Sequence, residues 1–369
     1  MSASVFDRRV YCLLGLPFDA VDAGGALRRV RVAVARREPC FLSTPNVNWV
    51  VACRSDAPFR ESVLASHLVV ADGMPLVWVA RLLGIPIRER VAGSGLFEAL
   101  RRDRAAPLAV YFFGGQEGVA QAACKQLAVE AGGLKCAGFH FPGLGTVEEM
   151  STPEVVATIN ASGADFVVVS LGARKGQAWI ERNRRRLTPP VIGHLGAVVD
   201  FVGGARGRAP ERVQRLGLEW LWRIKEQPDL WRRYAVDGLA LLRLLVSRVI
   251  PGLWWARRHR PVPADIDAAR IELGDESGGI CLRLHGAWVE RNVDRLREAF
   301  VQAARGAKDV TLAMEGVTCV DAAFLGLVLL LRGCKAGQGR RLVLASVREP
   351  VRRTITFCCA EFLLEGAPD

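Results

Sequence analysis

Leu108-Ala-Val-Tyr-Phe-Phe113-Gly114-Gly115-Gln116 is an unbroken apolar run that ends in two glycines and opens a helix-compatible segment. A run without polar alternation suits a strand covered on both faces, as in a parallel sheet wrapped by helices. Outward from it, between Phe41 and Phe201, similar short runs recur at Cys40-Ser43, Leu68-Ala71, Cys136-Phe141, Phe166-Ser170 and Pro190-Ile192, with helical patterns between them. The alternation predicts a Rossmann-like α/β domain with helices on both faces of a mostly parallel sheet. Several runs end in small or polar residues: Thr44-Pro45-Asn46, Asp72-Gly73, Gly114-Gly115 and Gly172-Ala173. Ligands of open α/β sheets bind beyond the carboxyl ends of the strands, so chemistry is expected at these loops.

The chain has 369 residues, too many for one ordinary core. Residues 1–203 are assigned to the α/β core and 204–256 to a helical appendage. A Pro-containing linker is expected at 257–270, and a second α/β domain over 271–369, of a size that folds independently. In that domain, strands are expected near Ile280-Leu284, Val310-Ala313 and Leu342-Ala345, and helices near Val293-Ala304 and Phe324-Leu331. Half the residues are hydrophobic and 24% are charged, which excludes disorder as the main state. The formal charge of +12 points to a phosphate-bearing partner. Between Arg206 and Arg260 thirteen Lys and Arg face five Asp and Glu, and five of the nine tryptophans fall there (Trp220, Trp222, Trp231, Trp254, Trp255). Arginine interleaved with tryptophan favours a membrane interface. Asp237, Arg243, Arg248 and Pro251 interrupt the most apolar window, so no membrane span is expected. Arg243 falls on the Leu239/Val246/Ile250 side and spoils the helical wheel. The start of the chain lacks the features of a secretory signal. The ten cysteines contain no CxxC pair and are expected to be reduced, as in a cytosolic protein.

Individually the candidate residues say little. Proline holds Thr44 extended and aims its hydroxyl over the sheet edge. A carboxylate at Asp72, closing a strand, can be desolvated and gain basicity, although an isolated aspartate there is more often a turn or cap. Gly114 and Gly115 free backbone N–H groups for phosphate, without the Gly-Lys-Ser/Thr of a P-loop. Arg90 suits an anion.

Their order is more informative. Thr44-Pro-Asn46, Asp72-Gly73-Met-Pro-Leu-Val-Trp78, Arg90-Val-Ala-Gly93-Ser, Tyr111-Phe-Phe-Gly114-Gly115, Arg208-Ala-Pro210 and Gly217-Leu-Glu-Trp220-Leu-Trp-Arg223 resemble the WecG/TagA/CpsF family, glycosyltransferase family 26, from about Leu14 to Tyr234. The resemblance implies inverting transfer of a sugar from a UDP donor to a polyprenyl-diphosphate-linked sugar at the inner face of the cytoplasmic membrane, for surface polysaccharide. It implies Asp72 as general base, with Thr44 and Asn46 positioning substrate. Arg223 and Arg233 would be appendage arginines that receive the departing UDP, in place of a metal or other cofactor. Arg90, Gly114, Gly115 and Gln177 complete the expected substrate-binding set.

Two departures stand out. Where the family commonly has Gly-Ala-Pro-Lys-Gln-Glu, this chain has Gly172-Ala-Arg-Lys-Gly176-Gln177, and a third appendage arginine is replaced by Leu230. They motivate an alternative, a catalytically impaired regulator of polysaccharide assembly. Asp265-Ile-Asp267 has the DxD spacing of metal-dependent transferases but lies in the linker, and the five histidines show no metal-ligand spacing. Nothing beyond net charge supports nucleic-acid binding. The second domain resembles STAS modules through Val317-Thr-Cys-Val-Asp321-Ala322-Ala323-Phe-Leu-Gly326. That resemblance implies a protein partner, and with Ala322 at the usual serine position no phospho-switch is expected there.

Overall fold

A computed structural model describes residues 5–365, apart from residues 105, 131, 206, 208, 211, 212, 214–216, 277 and 278. Arg208 of the Arg208-Ala-Pro210 motif therefore lies outside the described residues.

The chain opens with an antiparallel hairpin, β1 (Val10–Leu13) and β2 (Leu16–Asp19). Six strands then form a parallel sheet: β3 (Cys40–Ser43), β4 (Leu68–Val69), β5 (Leu108–Gly114), β6 (Leu134–His140), β7 (Phe166–Ser170) and β8 (Val191–His194). Their spatial order is β4-β3-β8-β7-β5-β6. The unbroken apolar strand works as expected: Val110 and Phe112 enter the core on one side, and Tyr111 and Phe113 the core on the other. On that second side Trp179 stacks on Phe113 at 4.0 Å between ring centroids and donates Nε1–H to Met150 O at 2.9 Å.

The appendage is a short helix, Glu219–Glu226, followed by a rod of helix. The rod is α-helical over Leu230–Leu244, widens to a π turn at Leu245–Val249, and continues as Ile250–Arg258. The side that Arg243 shares with Leu239, Val246 and Ile250 faces outward, so the arginine is not buried there. Buried Leu244 and buried Val249 are five positions apart, so the wide turn keeps an apolar side chain facing inward and leaves Arg248 beside it to bond Glu361 at 3.0 Å.

The expected linker is more regular than its prolines suggested. Pro263 occupies the first turn of a helix, Pro263–Asp267, where a missing N–H costs nothing. The next strand, β9 (Arg270–Glu276), starts before the expected domain boundary. It pairs antiparallel with β10 (Gly279–Trp288), and β11 (Asp309–Val320) and β12 (Leu342–Ala345) follow in parallel, giving the order β12-β11-β10-β9.

The module packs closely against the rest of the chain. Its helix Ala322–Ala336, capped by Asp321 through bonds from the Ala323 and Phe324 N–H groups, is buried along most of its length. The N-terminal hairpin covers it, and the two share one core. Glycines make the approach close. A Cβ on Gly326 would lie 2.3 Å from Val10 O, and one on Gly333 2.3 Å from Leu64 O. The hairpin is in turn fixed to the sheet by the buried Arg8–Asp19 ion pair, with Nε to Oδ1 at 2.9 Å. Arg8 Nη1 donates to Ser66 O at 2.7 Å, and Asp19 Oδ2 accepts the Val69 N–H at 2.7 Å.

The cysteine expectation needs a correction as well. Cys124 and Cys136 are joined by a disulfide between the Val119–Val129 helix and β6, their Cα atoms 5.2 Å apart, while eight cysteines are free. The two lie adjacent in the fold, which no short sequence spacing disclosed.

Candidate active site

Beyond the ends of β3 and β4, two loops and the appendage enclose a cleft of about 340 Å³. Asn46 enters it from the first loop. Its Oδ1 accepts the Trp49 N–H at 3.3 Å and so caps the helix Val47–Ser55. Asp72 enters from the second, where its N–H bonds Pro45 O and ties the two loops together. Asp72 Oδ2 accepts the Gly93 N–H at 3.4 Å, at the start of the helix Gly93–Arg102. Burial pushes the Asp72 carboxyl above its ordinary value, and the guanidinium groups of Arg90 and Arg223 pull it partly back.

Arg223 and Arg233 reach this cleft from the appendage. Both also line a second compartment of about 280 Å³, bounded by Ser94, Ala197 and Phe201 of the core. Glu219 borders both spaces and joins appendage to core by pairing with Arg90 at 2.7 Å. The cleft also has apolar lining, with Trp78 and Trp220 each about half exposed and Met74 and Leu241 beside them in the wall.

Asp72, Asn46, Arg90, Arg223 and Arg233 are therefore brought together. Thr44 lies behind them. Buried, it donates its hydroxyl to His194 O at 3.4 Å, and a Cβ on Gly93 would meet its Cγ2 at 3.4 Å, so residues 44 and 72 meet around Gly93 rather than across open space. Gly114 and Gly115 both have positive φ, +96° and +89°, at the carboxyl end of β5. They do not line the cleft; Gly115 adjoins Val199, on the helix Val198–Val202 that flanks the second compartment.

Gln177 is a correction to the expected binding set. It is buried under the sheet edge and donates Nε2–H to Ser43 Oγ at 2.6 Å, away from the cleft. Its neighbour Gly176 accommodates His194: a Cβ there would sit 2.2 Å from His194 Cδ2. His194 bonds Leu171 O at 2.7 Å and packs on Trp49, and burial holds its imidazole below the ordinary value, as befits a structural histidine. Asp265 of the DxD sequence accepts the Thr318 hydroxyl at 3.0 Å, remote from the cleft. Among the described residues, no group of three or more His, Cys, Asp or Glu side chains is placed to hold a metal ion.

Glu219, Asn48 and Asp237 also line the cleft, and residue-type reasoning had not singled them out. Glu219 stood inside the Gly217-Leu-Glu-Trp220 motif, whereas Asp237 registered only as an interruption of an apolar window.

A parallel α/β sheet thus carries a carboxylate beyond its strand ends, and a basic helical appendage closes over it. The chain belongs to the glycosyl transferase WecG/TagA/CpsF family, whose model matches residues 11–252, and an Mlab-type STAS domain model matches residues 271–358. It is similar to the N-acetylglucosaminyldiphosphoundecaprenol N-acetyl-beta-D-mannosaminyltransferase of Bacillus spizizenii, 32% identical over 179 residues, which cover 48% of this chain and 67% of that protein. The enzyme of the same name from Bacillus subtilis is 27% identical over 194 residues, covering 52% and 73%. The one from Staphylococcus aureus strain NCTC 8325 is 24% identical over 214 residues, covering 57% and 82%.

Proposed function

We propose that this protein moves a sugar, of the N-acetylhexosamine or uronic acid type, from a UDP donor to a sugar carried on a polyprenyl diphosphate, as a step in surface polysaccharide assembly. One observation carries the reading: a carboxylate made more basic by burial faces arginines from both core and appendage, inside a cleft with apolar lining. Asp72 takes the proton from the acceptor hydroxyl, and the oxygen so activated attacks the anomeric carbon of the donor. The bond from that carbon to the β-phosphate oxygen breaks with inversion, and UDP leaves as an anion. Arg223 and Arg233, which border both compartments, receive its charge, the role a divalent cation plays in other transferases. In this reading the donor occupies the Ser94/Ala197/Phe201 compartment, with the Gly114-Gly115 turn beyond it, and the acceptor occupies the Asp72 cleft. Thr44 fixes the loop that carries Asn46.

The appendage supplies the route to a lipid-borne acceptor. Val236, Leu239, Leu242, Val246, Ile250 and Trp254 form an exposed apolar stripe along the rod, with Arg232, Arg243, Arg257 and Arg258 beside it. Among the described residues no helix is long and apolar enough to cross a membrane. Such a stripe suits peripheral seating on the inner face of the cell membrane.

The test is a screen of UDP-sugars against a short-chain polyprenyl-diphosphate-linked N-acetylhexosamine, reading UDP released with and without chelator. Turnover that survives chelation and drops about 10²-fold or more in Asp72→Asn is expected. Undiminished turnover by Asp72→Asn would remove the base from position 72, and abolition by chelator would remove the metal-free mechanism.

A further inference from the structure

Asp237 is out of place on the helix that carries it. The rod turns an apolar stripe outward, and its remaining inward residues in the same stretch, Leu241 and Leu244, are apolar too. A carboxylate only 7% exposed on such a face is unfavourable unless its oxygens are used. One of them is: Asn48 Nδ2 donates to Asp237 Oδ1 at 3.2 Å. No described residue donates to the other oxygen, which is not sealed off from solvent, and the side chain borders the cleft that holds Asp72.

The surroundings indicate what that oxygen meets. Arg233 precedes Asp237 by one helical turn and lines the same cleft, so the appendage presents a cation and an acceptor of hydrogen bonds side by side. Asn48 stands two residues from Asn46 and brings an amide, with both a donor and an acceptor, to the same wall. A cation beside a carboxylate–amide pair matches a ligand with a phosphate next to vicinal hydroxyl or amide groups. A bare prenyl diphosphate offers nothing for the carboxylate to accept from.

Resting on the acceptor assignment above, we propose that Asp237 and Asn48 form the subsite that reads the acceptor's sugar, with Asp237 accepting a hydrogen bond from one of its hydroxyl or amide groups and so setting acceptor specificity. Asp237 is thus a binding residue, separate from the proton transfer at Asp72. A buried polar group of this kind discriminates strongly, because an acceptor lacking the matching donor leaves the carboxylate unpaired.

The experiment titrates the full-length protein with two probes in detergent: a short-chain prenyl-diphosphate-linked N-acetylhexosamine, and the same prenyl diphosphate without sugar. Wild type should bind the sugar-bearing probe more tightly. Asp237→Ala should weaken that probe by about tenfold or more, Asp237→Asn by less, and Asn48→Ala to a similar degree, since a hydrogen bond to a charged group is lost. Binding of the sugar-free probe and the KM for the UDP-sugar should not change. If Asp237 merely pinned the rod to the Val47–Ser55 helix, both probes would weaken together, and that result overturns the proposal. So does a wild type indifferent to the sugar. A wild type that prefers the sugar-bearing probe but transfers nothing to it would refute the proposed reaction and leave the subsite standing.

Discussion

Gly326→Ala tests whether the C-terminal module is welded to the catalytic core. In a helix open to solvent, alanine is favoured over glycine by roughly 1 kcal/mol. At position 326 the added Cβ would lie 2.3 Å from Val10 O, 2.7 Å from Val10 C and 2.9 Å from Tyr11 Cα, all of them backbone atoms. The hairpin has little room to retreat, because the buried Arg8–Asp19 pair anchors it to β4. Overpacking of this sort costs typically 1–3 kcal/mol, so the net change should be destabilising, by up to about 2 kcal/mol after the helix preference is subtracted. Gly238→Ala is the matched control: it too is helical, and nothing lies within 4 Å of its added Cβ. It should stabilise by about 0.5–1 kcal/mol. Denaturant unfolding followed by tryptophan fluorescence would measure both, with Trp49 and Trp179 reporting the core and Trp288 the module. A Gly326→Ala protein as stable as wild type, or more so, would refute the shared-core packing.

Three further outcomes follow from the geometry. Because burial raises the Asp72 carboxyl and only its ionised form is a base, kcat/KM should fall with decreasing pH at a midpoint above the ordinary aspartate value of 3.8. The same raised value means that ionised Asp72 opposes folding above the unfolded-state pKa, so Asp72→Asn should melt higher than wild type at pH 7, with the gap closing in acid. Arg8→Ala leaves Asp19 buried without its partner and should destabilise by about 3–5 kcal/mol, measured by denaturant unfolding. In vesicle sedimentation, binding to anionic lipid should weaken with salt and when Val236, Leu239 and Val246 are replaced by serine; binding equal to wild type would remove the stripe as the contact.

The six-stranded sheet was legible because most of its strands are apolar runs closed by a small or polar residue; β6, which contains Lys135 and is largely half-buried, is the weakest of them. Asp72 and Asn46 were legible at those ends, Arg90 and Arg223 inside short motifs, and Arg233 only through the family resemblance. The N-terminal hairpin escaped notice for a physical reason: its turn is Leu14-Gly15, and Leu14 sits at φ +51°, a conformation that leucine seldom signals. Asp237 was invisible as a site residue because only the fold brings its helix against Asn48. Gln177 misled in the opposite direction, since its place in a motif said nothing about the bond to Ser43 that buries it.

The arrangement around Trp255 changes how the C-terminal module should be regarded. That residue, near the far end of the rod, donates to the Thr354 hydroxyl at 3.3 Å, lies beneath Arg353 and packs near Phe357, all on the module's Glu349–Phe357 helix. The module thus grips one end of a lever whose other end delivers Arg233 to the cleft. The helix after Asp321 is covered by the N-terminal hairpin. Trp255 stands twenty-two residues beyond Arg233 on one continuous helical rod, so the appended domain braces the element that carries Arg233 to the cleft, a splint rather than a passenger.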